Sequence, residues 1–361
     1  MSFDVNKPYN DLLALPPAVE VETKAVLKRA ISANRAVAEL KGQGGVIPNQ
    51  SMLVNTLILQ EAKASSEIEN IVTTNDALFR AMASASGIVD PATKEVLRYR
   101  EALWRGYGRV KKGARLNADL FVDLAREITQ DARGIRDKPG TVIGNRNTGE
   151  IVYTPPEGER VIHKKLNDLE RFLYAHDGMD PLVKLALSHY QFEAIHPFFD
   201  GNGRTGRIIN ILFMVEGGLL DMPVLYLSKR IIDDKMVYYR RLRQVTEHGA
   251  WEAWVLYMLE AVEATARLTL DKIFAVRSLL DKTLELSKAK LPSRVYSKEL
   301  IELIFRQPYT KGEFIVETGL AERQTAADYL KELERIGVLK GQKIGKENLY
   351  LNVELYELLA K

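Results

Sequence analysis

Apolar residues recur at spacings of three and four along most of the 361-residue chain, which is the pattern of helices that bury one face. The ends of these helices are indicated by the points where the pattern stops and by Gly and Pro near the breaks. The predicted helices cover residues 23–40, 51–69, 74–112, 116–132, 160–175, 181–195 and 252–290. The pattern therefore predicts a mainly α-helical fold.

One internal stretch departs from the helical pattern. Residues 141–144 and 150–153 are short β-prone runs on either side of an Asn-Thr-Gly turn. Such runs around a turn signal predict a β-hairpin.

The stretch that follows the Leu291-Pro292 linker has the layout of a winged helix. Its three predicted helices cover residues 299–305, 311–318 and 321–335, and its two predicted strands cover residues 338–340 and 348–351. The third helix, which a DNA-binding winged helix uses for recognition, is acidic on balance: it bears Glu322, Arg323, Asp328, Lys331, Glu332 and Glu334. Because DNA binding needs clustered Lys and Arg, we favour protein contact or packing over DNA binding.

These patterns divide the chain into four units. Residues 1–90 form an N-terminal helical region, and residues 91–265 form a helical core that contains the hairpin. Residues 266–290 are a connecting helix, and residues 291–361 form the winged-helix-like domain.

The composition indicates the environment in which the protein works but not its function. A net charge of +3 is too weak for a general attraction to nucleic acid or to anionic lipid. No run approaches the roughly 18 apolar residues of a membrane span, and no secretory leader is evident. The chain has no cysteine, which excludes disulfides and fits a reducing compartment. We expect a cytoplasmic protein with no membrane contact.

Twelve residues between two helical runs, His196-Pro-Phe-Phe-Asp-Gly-Asn-Gly-Arg-Thr-Gly-Arg207, carry most of the recognisable chemistry and are called the motif below. Gly201 and Gly203 allow a sharp turn and a close approach of backbone N–H groups to a ligand. At the start of the second helix, these N–H groups favour phosphate. Arg204 and Arg207 lie three residues apart, so both lean over one face of that helix.

Two further side chains of the motif supply a metal ligand and a base. Asp200 offers the hard oxygen that Mg²⁺ prefers, and His196 is the group best able to take a proton near neutral pH. A base, a metal ligand and an anion site together predict phosphoryl or nucleotidyl transfer.

Two other interpretations of the motif stay open at this point. Gly201, Gly203 and Gly206 also fit the dinucleotide-binding fingerprint, with Asp221 about 20 residues further on. That fingerprint needs a preceding strand, whereas residues 182–195 have helical periodicity. The other interpretation is a purely structural loop with a capping Asp and two solvated arginines.

The motif matches, without a gap, the Fic motif His-Pro-Phe-x-(Asp/Glu)-Gly-Asn-Gly-Arg-x-x-Arg, so the chain resembles the Fic family. The resemblance implies a Fic catalytic core at 91–265 that transfers AMP from ATP to a hydroxyl side chain of a target protein. Related Doc-type proteins carry bulkier residues in place of the motif glycines and phosphorylate instead. Gly201 and Gly203 therefore favour AMP transfer.

The resemblance also implies a role for each part of the motif. His196 is the catalytic base, and Asp200 carries the Mg²⁺ that bridges the α- and β-phosphates. Asn202 and the backbone of Gly201 and Gly203 stabilise charge on the phosphates, Arg204 supports the β-phosphate and Arg207 holds the γ-phosphate. The expected ATP-binding residues of the motif are Asp200, Gly201, Asn202, Gly203, Arg204, Thr205, Gly206 and Arg207.

A second, shorter pattern lies at the end of the 51–69 helix. Ser65, Glu69 and Asn70 fill the Fic inhibitory pattern (Ser/Thr)-x-x-x-Glu-(Gly/Asn). The resemblance implies that Glu69 pairs with Arg207, occupies the arginine needed for the γ-phosphate and so autoinhibits the enzyme. A buried Arg–carboxylate pair is strong enough for this role. Taken as a charge pattern alone, the segment is an ordinary solvated helix end.

Outside these two patterns, the resemblance implies a hairpin flap before the motif and a tyrosine beside the adenine. Val142, Ile143 and Gly144 are expected against the nucleotide, and the target protein is expected to pair with the flap along Val142 and Ile151. Of the adjacent tyrosines in the 228–245 stretch, Tyr238 is the expected adenine contact. We expect packing roles for His189, Trp251 and Trp254.

Two rival functions remain open from the sequence. Glu69 could position a water that removes AMP from a modified protein at the same site. Alternatively, a degenerate Fic fold could sense nucleotide for a transcription regulator through the winged helix. A homodimer is one option for the assembly.

Overall fold

The computed structural model describes residues 3–44, 50–83, 89–144, 148–344 and 347–360. Eleven helices and one hairpin in these residues precede the C-terminal unit. They are α1 (Lys24–Gly44), α2 (Gln50–Ile68), α3 (Asn75–Ala83), α4 (Pro91–Lys111), α5 (Ala118–Thr129), β1 (Ile143–Gly144), β2 (Ile151–Tyr153), α6 (Glu159–Leu173), α7 (Pro181–Ile195), α8 (Asn202–Glu216), α9 (Leu227–Asp233), α10 (Lys235–His248) and α11 (Trp251–Lys290). The mainly helical fold is confirmed, and the run predicted at 74–112 is two helices, α3 and α4.

Helices α7 and α8 form the centre of the fold. Nearly every side chain of both helices is buried, so neither has the polar face of a surface helix. Helices α1, α6 and α11 pack on α7, while α2, α4 and α5 pack on α8. The turn between the two central helices is therefore held by a shell of helices on both sides, and this turn is the motif.

Side-chain caps fix where several of these helices begin. Asp90 accepts a hydrogen bond from the backbone of Thr93, and Asn117 does the same for Leu120. Asp180 caps α7 through the N–H groups of its first turn, next to Pro181. Polar caps and an early proline are the usual start signals of helices.

Helix α11 runs without interruption from Trp251 to Lys290. The boundary predicted between residues 265 and 266 therefore falls inside one continuous helix. Trp254 is buried and its Nε1 donates to the carbonyl of Ala186 at 2.7 Å, and Trp251 packs edge-on against Tyr190. Both tryptophans are structural, as predicted.

The C-terminal unit has the winged-helix order of helices and strands. It comprises α12 (Lys298–Leu303), β3 (Tyr309–Thr310), α13 (Gly312–Glu317), α14 (Arg323–Arg335), β4 (Lys340–Ile344), β5 (Glu347–Leu351) and α15 (Val353–Ala360). The three strands form one antiparallel sheet in the order β3-β5-β4, with Lys340 opposite Leu351 and Ile344 opposite Glu347. The sequence pattern missed β3 and α15, and it assigned part of β4 to a turn.

The C-terminal unit packs against the N-terminal region as well as against α11. Helix α15 lies on α11. On α3, the Tyr309 hydroxyl donates to Asp76 at 2.6 Å, and the ring of Tyr356 packs edge-on against Phe79. In the described parts of the chain, no helix has the length and apolarity of a membrane span.

Candidate active site

The motif forms the turn from α7 into α8. His196 is the C-cap of α7 and has a left-handed backbone, with φ of +49°. Gly201, also left-handed at φ +79°, precedes the first residue of α8. A non-glycine residue in this region is uncommon and is held there by its surroundings. Because a helix and not a strand leads into the motif, the dinucleotide-binding interpretation is excluded.

Asn202 holds the shape of this turn. Its Oδ1 accepts from the N–H of Phe198 at 2.8 Å, and its Nδ2 donates to the carbonyl of the same residue at 2.8 Å. The carboxamide is buried and bonded on both sides. In the structure, this side chain stabilises the conformation of the loop. A direct contact between Asn202 and phosphate stays a prediction.

The imidazole of His196 is kept neutral by its surroundings. Burial, and then the nearby charge of Arg136, lower its pKa to about 4. A histidine with this pKa is unprotonated at neutral pH and can accept a proton.

Arg204 is buried and bridges two carboxylates. It pairs with Glu95 of α4 and, through Nη2, lies 3.3 Å from Asp200 Oδ2. The side chain of Asp200 is 73% exposed, so its carboxylate faces solvent beside the turn. Among the described residues there is no cluster of three or more His, Asp or Glu able to hold a metal alone. One exposed carboxylate fits the usual binding of Mg²⁺ by one or two carboxylates together with substrate phosphates.

Arg207 is buried and reaches across to the end of α2. Its Nε donates to Ser65 Oγ at 2.7 Å, and its Nη2 donates to the Ser65 carbonyl at 2.8 Å. The same Nη2 lies 2.8 Å from Glu69 Oε1. The predicted pair between Glu69 and Arg207 is therefore present in the structure.

The carboxylate of Glu69 lies directly over the first turn of α8. A Cβ placed on Gly203 would come within 2.3 Å of Glu69 Oε1, so only glycine leaves room for this contact. The N-terminus of a helix attracts anions, and the carboxylate occupies that position. Burial would raise the pKa of Glu69, but the charge and hydrogen bond of Arg207 outweigh it and hold the pKa below its usual value.

The remaining residues of the two predicted patterns lie around this pair. Asn70 has φ of +65°, and its Oδ1 accepts from Lys235 Nζ of α10 at 3.1 Å. The hydroxyl of Thr205 is buried and bonds to no described residue. A Cβ on Gly206 would lie 2.6 Å from Glu193 Oε1. Contacts of Thr205 and Gly206 with ATP stay predictions.

The hairpin stands beside the motif, although residues 145–147 of its turn lie outside the described chain. Ile143 pairs with Tyr153 and Gly144 with Ile151, and the side chain of Val142 is half exposed. The Tyr153 hydroxyl donates to the carbonyl of Ala194 at 2.8 Å. The base of the hairpin is thus attached to the end of α7, just before His196.

Three family models match this chain. The model of the Fic/DOC family matches residues 115–214, which contain the hairpin and the motif. The model of the Fic/DOC family N-terminal region matches residues 27–108. A third model, the C-terminal domain of SoFic-like protein adenylyltransferase, matches residues 279–355.

The chain therefore contains a Fic/DOC domain over residues 115–214.

Curated relatives of this Fic protein are named protein adenylyltransferases. It is 27% identical over 160 residues to the protein adenylyltransferase Fic of Nematostella vectensis, across 43% of this chain and 34% of that one. It is 32% identical over 163 residues to protein adenylyltransferase fic-1 of Caenorhabditis briggsae, across 42% of this chain and 30% of that one. The matches span about a third of the length of these relatives.

Solved structures show the same Fic fold. A Fic family protein from Desulfovibrio desulfuricans G20 has a TM-score of 0.57 at 19% identity, covering 93% of this chain and 98% of that one. Fic-1 from Caenorhabditis elegans has a TM-score of 0.53 at 20% identity, covering 69% of this chain and 74% of that one.

The two adjacent tyrosines of α10 in this Fic protein lie in different environments. Tyr238 is 1% exposed, and its hydroxyl shares a 2.9 Å hydrogen bond with His189 inside an aromatic cluster with Trp254. Tyr239 is 41% exposed. Burial, and then the charge of Glu69, raise the pKa of Tyr239. The contact of Tyr238 with adenine stays a prediction, and in this structure its ring packs in the core.

Three charged residues that lie near the Fic motif were not identified from the sequence. Glu95 and Glu61 are single carboxylates within helices, and Arg136 is a single cation in a loop. Such residues are normally solvated, and no spacing marks them. Glu61 is buried, Glu95 pairs with Arg204 and Arg136 bonds to the backbone of His196.

Proposed function

We propose that the chain is a protein adenylyltransferase that transfers AMP from ATP to a Ser, Thr or Tyr hydroxyl of a target protein and of itself. The observation that carries the proposal is the position of the Glu69 carboxylate. It lies over Gly203 at the N-terminus of α8 and is bonded to Arg207, and its charge acts on the neutral His196. A phosphate chain is also an anion, so the helix N-terminus and Arg207 can bind it as they bind this carboxylate.

The reaction begins with proton transfer to His196. The target hydroxyl loses its proton to the imidazole, its oxygen attacks the α-phosphorus of ATP, and the bond to the β-phosphate oxygen breaks with release of pyrophosphate. The low pKa of His196 keeps the imidazole free to accept the proton.

The first turn of α8 stabilises the charge that develops on the phosphates. The backbone of Gly201 and Gly203 provides donors at the helix N-terminus, and Arg204 supplies a buried positive charge. Asn202 acts by holding these donors in place through Phe198. Mg²⁺, held by Asp200 and the phosphates, would neutralise charge on the leaving pyrophosphate.

Glu69 inhibits this reaction by occupying Arg207. While the pair is formed, Arg207 is unavailable to the γ-phosphate and the carboxylate repels anionic groups from the helix N-terminus. Ser65 and Asn70 hold the segment in this position through Arg207 and Lys235.

The hairpin is the proposed docking site for the target protein. It is a two-stranded ribbon, so its outer edge can accept an extended segment by β-addition. Val142 and Ile151 flank that edge, and the attachment of Tyr153 to α7 places the bound segment beside His196.

The test uses the Glu69→Gly chain, in which the inhibitory pair is absent. Adding His196→Ala should lower transfer from α-labelled ATP by about 100-fold or more, with ATP affinity unchanged by calorimetry. Adding His176→Ala is the matched control, because this histidine is exposed. Retained transfer in the His196→Ala chain would remove the base from the mechanism.

A further inference from the structure

Arg136 is one of the largest fully buried side chains of the described chain, at 1% exposure. It lies in the loop between α5 and β1. Its guanidinium donates to carbonyl oxygens: Nε to His196 at 2.7 Å, and Nη2 to Ile195 at 3.2 Å and to Pro156 at 2.5 Å. Its own N–H donates to the carbonyl of Pro197 at 2.9 Å.

Burying a cation costs folding free energy, and carbonyl oxygens offset that cost less than a carboxylate does. Burial lowers the pKa of Arg136 accordingly. The carbonyls at the end of α7 have no partner within the helix and need donors. A planar fork of several donors in fixed directions meets this need at more than one peptide group, whereas a lysine offers its donors from a single nitrogen atom.

The contacts of Arg136 fix the backbone on both sides of His196. Three consecutive carbonyls, those of Ile195, His196 and Pro197, all accept hydrogen bonds from this one residue. His196 lies between them in the left-handed conformation, so the orientation of its imidazole depends on these peptide planes. Pro156 lies in the segment that follows β2, so its contact with Arg136 connects the hairpin to the same guanidinium.

We propose that Arg136 is the positioning residue of the active site, which holds His196 in its reactive orientation and keeps the hairpin in register with it. The proposal rests on the adenylyltransferase function proposed above. Arg136 itself touches neither ATP nor the target.

The charge of Arg136 adds to this geometric role. After burial, it is the largest influence that lowers the pKa of His196. The carboxylates of Glu69 and Asp200 act in the opposite direction. Replacing the cation with a neutral side chain therefore raises the affinity of His196 for a proton.

The experiment compares Arg136→Gln and Arg136→Lys in the Glu69→Gly chain. Arg136→Gln should lower kcat about 100-fold with little change in the KM for ATP, and the acid limb of the kcat/KM profile should move to higher pH. Arg136→Lys keeps the charge but loses the fork, so kcat should fall about 10-fold while the acid limb stays in place. Arg126→Gln is the matched control, because this exposed arginine also donates to a loop carbonyl, that of Ala132.

A second measurement does not depend on catalysis. An NMR titration of the His196 imidazole should show its proton affinity rising about threefold or more in Arg136→Gln and remaining at the parent value in Arg126→Gln. If Arg136→Gln does not fold, the kcat of Arg136→Lys decides. Parent values of kcat in Arg136→Lys, or an unmoved His196 titration in folded Arg136→Gln, would overturn the proposal. Absence of AMP transfer in the Glu69→Gly parent would instead refute the proposed function.

Discussion

Two carboxylates, Glu61 in the middle of α2 and Glu69 just after its end, meet their surroundings in opposite ways. Glu61 lies in the middle of the helix and is 1% exposed. It accepts hydrogen bonds from the Tyr99 hydroxyl at 3.2 Å and from the Ser228 N–H at 2.8 Å, and also from the Ser228 hydroxyl. It thus joins α2 to α4 and α9.

Glu69 lies just beyond the last residue of α2 and is 32% exposed. Its carboxylate accepts a hydrogen bond from a charged partner, Arg207. Burial raises the pKa of Glu61, whereas Arg207 overcomes burial and lowers the pKa of Glu69.

The difference shows how one helix can be both fixed and releasable. Glu61 cannot leave its donors unless α2 moves as a whole. Glu69 can leave Arg207 through a change in the few residues after the helix, where Asn70 already has a positive φ. We infer that release of inhibition involves the end of α2 and leaves its middle in place.

The largest expected effect is that of Glu69→Gly on activity. Loss of a fully buried ion pair is worth about 3–5 kcal/mol, and the partial exposure of Glu69 reduces this, so labelling from α-labelled ATP should rise by about 100-fold. Glu67→Gly is the control, since it makes the same change two residues earlier at a carboxylate that pairs loosely with Lys63 at 3.7 Å. Equal rates in both variants would mean that Glu69 is only a helix end.

Ser65→Ala should raise the same labelling rate by a smaller factor. It removes the hydrogen bond from Arg207 Nε but leaves Glu69 in place, and a bond to a charged group contributes about 1.5–3 kcal/mol, so a rise of about 10-fold is expected. Ser66→Ala is the control, because the Ser66 hydroxyl is buried with no described partner. An unchanged rate in Ser65→Ala would exclude this residue from the inhibitory contact.

Glu61→Gln should change stability more than activity. An amide cannot accept all the hydrogen bonds that Tyr99 and Ser228 donate, so the free energy of unfolding should fall by about 1–2 kcal/mol. Urea denaturation measures this, with Glu67→Gln as the control. If Glu61→Gln instead activated the enzyme as strongly as Glu69→Gly, the distinction between the two carboxylates would fail.

The smallest expected effect is the pH dependence of stability, and it differs in sign between the two residues. The pKa of Glu69 is lowered from 4.5, so its contribution is present above that value and is lost as the pH falls through the folded pKa. The pKa of Glu61 is raised from 4.5, so its contribution is full below that value and declines as the pH rises. The free energy of unfolding of wild type, Glu61→Gln and Glu69→Gln is measured by denaturation across this pH range. The stability lost in Glu69→Gln should grow as the pH rises, whereas the stability lost in Glu61→Gln should shrink. The same trend in both variants would contradict the assignment.

The sequence predicted the parts of this fold and site that follow a repeated or a long pattern. The helices carry a spacing of three and four over many residues, and the motif has few free positions. The Glu69–Arg207 pair was expected only because two patterns far apart in the chain resemble those of the Fic family. Strand β3 has only two residues, too few for any alternation to be visible.

The residues that the sequence missed depend on tertiary packing. Nothing local distinguishes Arg136 or Glu61 from a solvated charge, because their partners come from distant segments. Tyr238 and Tyr239 are neighbours of the same type, so only the packing of α10 on α11 decides which ring is buried. Such assignments require the three-dimensional arrangement.

The most direct test of the account follows the fate of the two ends of ATP. The Glu69→Gly chain is incubated separately with α-labelled and γ-labelled ATP, and the protein is then separated from free nucleotide under denaturing conditions. AMP transfer predicts that the α-label stays on protein, that the γ-label does not, and that adding His196→Ala removes the signal. Retention of the γ-label alone would show phosphorylation and contradict the proposed chemistry, and retention of neither label would contradict transfer itself.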